Sequence, residues 1–189
     1  MPPPHKESSE PKMHRLPSRF LWITLLTVAT VVSTPQAAST HAAAPAIATL
    51  IIPKIGLHER IREGVGKAKL RRTIGHYPGT AKPGQVGNVA LLGHRTTGRA
   101  PFRKLNRLTK GDSIVLKTKS HSFRYVVRRI RIISPSRTNV LNPTPLRPGR
   151  TPKGRYLSLI TCHPKGSDAK RLVVIAKLVA TKTTKQSKS

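Results

Sequence analysis

Apolar residues along this chain come in short runs parted by glycine, proline and charge, a spacing that predicts strands more than helices. Thr49–Ile52 (TLII) reads as a strand closed by Pro53, and Asn88–Leu92 (NVALL) as one that ends at Gly93-His94. Ser113–Lys117 (SIVLK) follows the turn Lys110-Gly111-Asp112. His121–Ile133 is the longest strand. There Phe123, Tyr125 and Val127 share one parity and Ile130 and Ile132 the other, so a bulge or sharp bend is expected near Arg128-Arg129. Arg155–Thr161 and Arg171–Val179 are two further apolar strands.

The stretches between are weaker. Glu59–Leu70 has room for a single helical turn but lacks good periodicity, and Tyr77-Pro78-Gly79 and Lys82-Pro83-Gly84-Gln85 are turns. Ala100–Leu108 spaces Phe102, Leu105 and Leu108 three apart, which predicts a short helix with one apolar stripe. Residues 135–154 carry Pro135, Pro143, Pro145, Pro148 and Pro152 and read as a loop. Ala180–Ser189 has no apolar side chain beyond Ala180 and is expected to fray. Seven or eight short strands with short helices in the connections predict an all-β domain, closed or nearly closed into a barrel, with a sandwich as the alternative. Closure would leave no edge strand to protect.

Ahead of this domain the pattern changes. Residues 1–19 are polar and Pro-rich, with Lys6, Lys12, Arg15 and Arg19. Phe20–Val32 then runs without a charge, followed by Ser33-Thr34-Pro35 and an Ala-rich stretch to about Ala48. A basic start, an apolar run and small residues behind it mark an export signal. As a helix the run spans about 20 Å, short of the roughly 30 Å hydrocarbon core. Cleavage near Ala38 or Ala44 and retention as a membrane anchor both stand, and either places the domain outside the cytoplasmic membrane.

Charge alters the choice of function. The 189 residues carry 36 Lys and Arg against 6 Asp and Glu, a formal +30. So basic a chain first suggests nucleic acid. Four of the bases and two of the acids precede residue 50, which leaves 32 against 4 in the rest. Those bases are spread along the chain and no aromatic cluster accompanies them, so with export the favoured partners are anionic membrane or wall polymers and no nucleic acid is expected. Glu59, Glu63, Asp112 and Asp168 are too scattered for a paired-carboxylate glycosidase or a calcium cage.

Cys162 is the single cysteine, so no intramolecular disulfide can form. It stands where the strand Tyr156–Thr161 stops, before His163-Pro164-Lys165-Gly166. A strand end beside turn residues favours a thiol kept for chemistry over a buried core cysteine. Such a thiol needs a base or a cationic neighbour. Among eight histidines, His94 and His163 lie at the ends of apolar strands. His163 neighbours Cys162 in sequence and points the other way on a strand, so His94 is preferred, with His76 behind it. One Cys and no His-x-x-x-His pair disfavour zinc, and no cofactor is expected.

The segment Ser158-Leu159-Ile160-Thr161-Cys162, with Arg171 nine positions on, resembles the nucleophile segment of the sortases, usually T-L-x-T-C. Gly87–Arg95 (GNVALLGHR) resembles their histidine segment, and His76–Thr80 (HYPGT) and Ala100-Pro101-Phe102 with Leu105 are similar as well. Thr161-Cys162-His163-Pro164 looks like the class E branch of high-GC Gram-positive bacteria, and Ser158 stands where the family usually has Thr. The resemblance runs from about Ile51 to Val179. It implies a closed eight-stranded sortase-type barrel and a transpeptidase that cuts an LPXTG- or LAXTG-type sorting signal, forms a thioacyl enzyme and passes it to an amine. The expected substrates are surface proteins or pilins, and the acceptor is a wall-precursor or pilin amine. On this resemblance Cys162 is the nucleophile, His94 the acid/base and Arg171 the oxyanion and substrate ligand. Thr161 and His163 are expected in the peptide groove. The implied layout is a basic region (1–19), a signal or anchor with linker (20–48), the catalytic domain (49–180) and a flexible basic tail (181–189). With so few acids, activity without calcium is expected. A catalytically silent cationic envelope-binding barrel is the alternative.

Overall fold

The computed structural model describes residues 45–184. The basic region, the apolar segment and residues 185–189 lie outside the described residues, as do the expectations placed on them. Eight strands are present: β1 (Ala48–Ile52), β2 (Leu57–Glu63), β3 (Ile74–His76), β4 (Gly87–Leu92), β5 (Ser113–Lys117), β6 (His121–Ile133), β7 (Arg155–His163) and β8 (Lys170–Thr183). They close into one barrel in the order β1-β2-β3-β4-β7-β8-β6-β5, which excludes the sandwich. The pairs β2–β3 and β4–β7 are parallel and the rest antiparallel. Among the described residues one short helix, α1 (Lys67–Leu70), and three 3-10 turns sit in the connections.

Alternation builds the interior. Leu50 and Ile52 of β1, Ile114 and Leu116 of β5, Tyr125 and Val127 of β6, and Leu157 and Leu159 of β7 all enter one cluster. Each such side chain contributes about 1.5–3 kcal/mol when fully buried. β6 bulges where its parity changes: Val127 pairs with Ala176 and Arg129 with Ile175, leaving Arg128 as the extra residue. Beyond it Ile130 packs against the interior, and Ile133 belongs to a second cluster.

That second cluster positions the site. Ile160, Val173 and Ile175 on the outer face of β7 and β8 are covered by Val140, which the 3-10 turn Thr138–Leu141 of the β6–β7 connection delivers. The connection is pinned by Asn88, whose side-chain amide donates to the Val140 carbonyl (2.9 Å) and whose oxygen accepts from Ser158 Oγ (2.9 Å). β7 is therefore buried on both faces, which explains its unbroken apolar run.

Four local expectations need correction. Glu59–Leu70 begins inside strand β2, with the single turn α1 at its end, because Leu57 and Ile61 face inward while His58 and Arg60 face out. β3 was hidden in a three-residue segment beside a turn. The stripe Phe102, Leu105 and Leu108 is buried as expected, but on turns and one 3-10 segment (Leu105–Arg107) without an α-helix. Ala180–Thr183 does not fray: it continues β8 against His121–Arg124, since a backbone ladder is indifferent to polar side chains facing water.

Candidate active site

The parallel pairing of β4 with β7 runs to Leu92↔Ile160. His94 and Cys162 each lie two residues farther along, so the ladder carries both to the same end of neighbouring strands. Gly93 N–H donates to the Ile160 carbonyl (3.2 Å), and Thr161 Oγ1 donates to the Gly93 carbonyl (2.7 Å), holding the ends together past the last pair. Gly93 is required there, because a Cβ would sit 2.8 Å from the Phe102 ring. Phe102 N–H in turn donates to the His94 carbonyl (3.1 Å). On the other side of β7, Cys162 directly opposes Arg171 of β8. Directly opposed residues share a face with Cα atoms about 5 Å apart. Cys162 thus sits between His94 and Arg171 on three adjacent strands.

Each of the three is half-buried. The Cys162 thiol is free, and the His94 ring has no hydrogen-bond partner among the described residues. Arg171 is aimed by its own turn: Nη1 donates to the carbonyls of Asp168 (2.7 Å) and Lys170 (3.1 Å).

Beneath the cysteine lies a residue that sequence reasoning passed over. Arg95 is only 4% exposed, and its Nη1 donates to the Cys162 carbonyl (3.2 Å) and to His163 Nδ1 (2.9 Å). Its Nε is buried without a partner among the described residues, and none of its contacts is a carboxylate. Burial pulls the Arg95 pKa down from its ordinary value, and the electrostatic influence of nearby Cys162 opposes that shift. The available signal was an arginine directly after His94 in an apolar setting, but its target could not be read from one dimension. The Asn88–Ser158 pair was also missed. Its signal was a polar residue inside each of two apolar runs, which calls for a partner.

Other expected residues fall elsewhere. Thr161, expected in the peptide groove, is buried on the core side with its hydroxyl committed to Gly93, because strand alternation turns it away from Cys162. It clamps β4 to β7. His163 is half-buried and accepts from Arg95, which places any ring proton on Nε2 in its neutral form. His76 is 2% exposed with both ring nitrogens engaged, by Glu63 (2.8 Å) and by Ala81 O and Thr80 Oγ1 (each 3.0 Å). It is held as a structural residue. Among the described residues no group of three or more His, Cys, Asp or Glu could hold a metal ion. A cavity of about 190 Å³ under the β6–β7 connection is lined by Tyr156, Arg128 and Pro145. Tyr156 is six residues from Cys162 along β7, about 20 Å away.

The Sortase domain profile matches residues 50–179, most of the chain. This protein belongs to the sortase family. It is similar to sortase SrtE1 of Streptomyces coelicolor, 39% identical over 140 residues that cover 70% of this chain and 40% of that protein. It is 30% identical to sortase D of Bacillus subtilis over 69% of this chain and 62% of that one. The chain thus spans about two fifths to three fifths of the length of these relatives. The crystal structure of sortase E1 from Streptomyces coelicolor with a tripeptide in the active site superposes with a TM-score of 0.70 at 37% identity, covering 76% of this chain and 94% of that one. The SrtA sortase from Actinomyces oris also gives 0.70, at 32% identity over 74% and 82%. The eight-stranded barrel and the likeness to class E sortases agree with the motifs around Cys162. In this sortase the strand ends of β4, β7 and β8 carry the three residues that the sequence motifs singled out.

Proposed function

We propose that this sortase is a cysteine transpeptidase acting on the extracytoplasmic face of the cell membrane. There it cuts an LPXTG- or LAXTG-type sorting signal and joins the protein to an amine of a wall precursor or pilin. The observation that carries this reading is Cys162 flanked by His94 and Arg171 on neighbouring strands. The Cys162 thiolate attacks the carbonyl carbon of the signal's Thr-Gly bond. The negative charge that develops on the carbonyl oxygen is met by the Arg171 guanidinium, already aimed by its bonds to Asp168 and Lys170. His94 gives its proton to the departing glycine amine as the C–N bond breaks, leaving a thioester on Cys162. The acceptor amine then attacks that carbonyl and His94 takes its proton. The thiolate leaves with the new amide formed.

The test is mass spectrometry of the full chain after incubation with an LAXTG-containing peptide and an amine acceptor. The wild type is expected to gain the mass of the acylated peptide fragment and to release transferred product. Cys162→Ala is expected to do neither, and equal transfer by both forms would overturn the assignment.

A further inference from the structure

A second concave surface lies away from Cys162, separated from β7 by β3 and β4. It is an open groove of about 1440 Å³ on the outer side of β1, β2 and α1. Seven of its lining residues are Lys or Arg and one, Glu59, is acidic. Strand alternation makes half of it: with Leu57 and Ile61 of β2 facing the interior, Arg60 and Arg62 face out. Lys67 on α1, together with Arg71 and Arg72 just beyond, adds the facing wall. Arg99 forms the lip, on the connection that begins with His94. That lip is fixed, since Arg99 N–H donates to the Arg71 carbonyl (3.2 Å) and a Cβ at Gly98 would meet the same carbonyl at 2.4 Å.

The acids of the domain offset only part of this charge. Glu59 pairs with Arg99 (2.9 Å), Glu63 with His76 (2.8 Å) and Asp112 with Lys54 (2.8 Å). Arg60, Lys67, Arg71 and Arg72 are exposed and make no ion pair among the described residues. Like charges this close repel unless a ligand supplies the counter-charge.

We infer that this groove is a binding site for a phosphodiester polymer, engaged through its phosphates. Arginine dominates the lining, and its planar fork matches phosphate oxygens two at a time. A concave trough takes a chain, whereas a flat bilayer meets convex faces. No Phe, Tyr or Trp lines it, so the large aromatic rings that favour stacked bases are missing from its lining. The choice of a base-free wall-type polymer rests on the extracytoplasmic setting proposed above, but the binding site itself does not need Cys162.

The test compares two charge-matched triple variants of the full chain. Arg60→Gln/Lys67→Gln/Arg72→Gln empties the groove of three charges, and Arg124→Gln/Arg131→Gln/Arg137→Gln removes three exposed charges elsewhere. Binding to a synthetic poly(glycerol phosphate) is followed against salt, with equal unfolding temperatures as the check on folding. The groove variant is expected to bind roughly tenfold or more weakly, with a log K against log salt slope shallower by about two, while the other variant stays close to wild type. Equal losses in both variants, or a loss in neither, overturn the site. Groove-dependent binding that is as tight for poly-L-glutamate or anionic phospholipid vesicles at matched charge overturns the phosphodiester assignment, and binding as tight for oligo-dT overturns the choice of a base-free polymer. Because no sorting peptide is used, failure here leaves the transpeptidase reading intact, and failure of peptide transfer leaves this site intact.

Discussion

His94 and His76 stand at the ends of adjacent strands, β4 and β3, and both belong to family-like motifs, yet the fold treats them oppositely. His76 is enclosed, with Glu63 on one ring nitrogen and Ala81 and Thr80 on the other. His94 is half-buried at the same barrel end as the free thiol, and its ring has no hydrogen-bond partner among the described residues. A histidine whose nitrogens are both occupied cannot exchange protons with a substrate without breaking structure. One left open at the same strand end as a free thiol can. The difference lies in what surrounds the ring and not in the residue type.

The largest expected effect breaks the open histidine. His94→Asn should lower peptide transfer by about 10²–10⁴-fold, with the thermal unfolding midpoint within a degree or two of wild type. A parallel fall in stability would mean that His94 is structural too. Next is the closed histidine. His76→Leu leaves the Ala81 carbonyl and Thr80 without their ring partner and should cost about 2–3 kcal/mol in denaturant unfolding. Turnover per folded molecule should stay within a few-fold, and a loss as deep as that of His94→Asn would erase the contrast.

Arg95 tests how firmly the open site is held. Arg95→Met removes a buried cation that has no carboxylate partner, so stability should change by less than about 2 kcal/mol. It also frees the Cys162 carbonyl and His163 from their shared donor. Transfer should fall about tenfold, because the strand end that carries Cys162 loses its anchor. Unchanged transfer would mean that this anchor does not matter to the site. Arg95→Lys, which keeps the charge but not the fork, should recover only part of the transfer.

The smallest effect comes from the surface pair Lys54–Asp112. Burial alone would raise the Asp112 pKa, but hydrogen bonds from Lys54 and from the Thr109 amide and hydroxyl, with the Lys54 charge, together lower it. A carboxylate lowered in the folded state stabilises above its unfolded value near 4, and that contribution is lost as pH falls through the folded value. Asp112→Asn should therefore cost under about 1 kcal/mol at neutral pH, and the difference from wild type should vanish in acid. A larger cost would make this surface pair as influential as the buried His76 cluster.

How much of this was legible depends on range. Runs such as Ser113–Lys117 and the parity change in β6 were readable because strand alternation is local. β3 was not, since three residues beside a turn carry too little pattern. Its place is set by parallel pairing with β2, which lies more than ten residues away. Among the site residues, the thiol and its histidine could be singled out from type and strand-end position. Arg171 came from motif likeness alone, and Arg95 needed the fold. Thr161 was misplaced because its motif position says nothing of which face it occupies.

The sequence by itself determined the all-β character, the uncompensated charge, the lone thiol and the motifs that carry family membership, because composition, alternation and spacing are properties of the chain. Only the tertiary structure decided that β4 lies parallel beside β7, so that residues 68 positions apart, His94 and Cys162, end side by side with Arg171 across the next ladder. It alone decided that His76 is closed while His94 is open, and that seven bases from β2, α1 and the His94 connection share one trough. Non-local strand pairing fixes these neighbours. Its register follows from packing the whole barrel interior at once, which no local window contains.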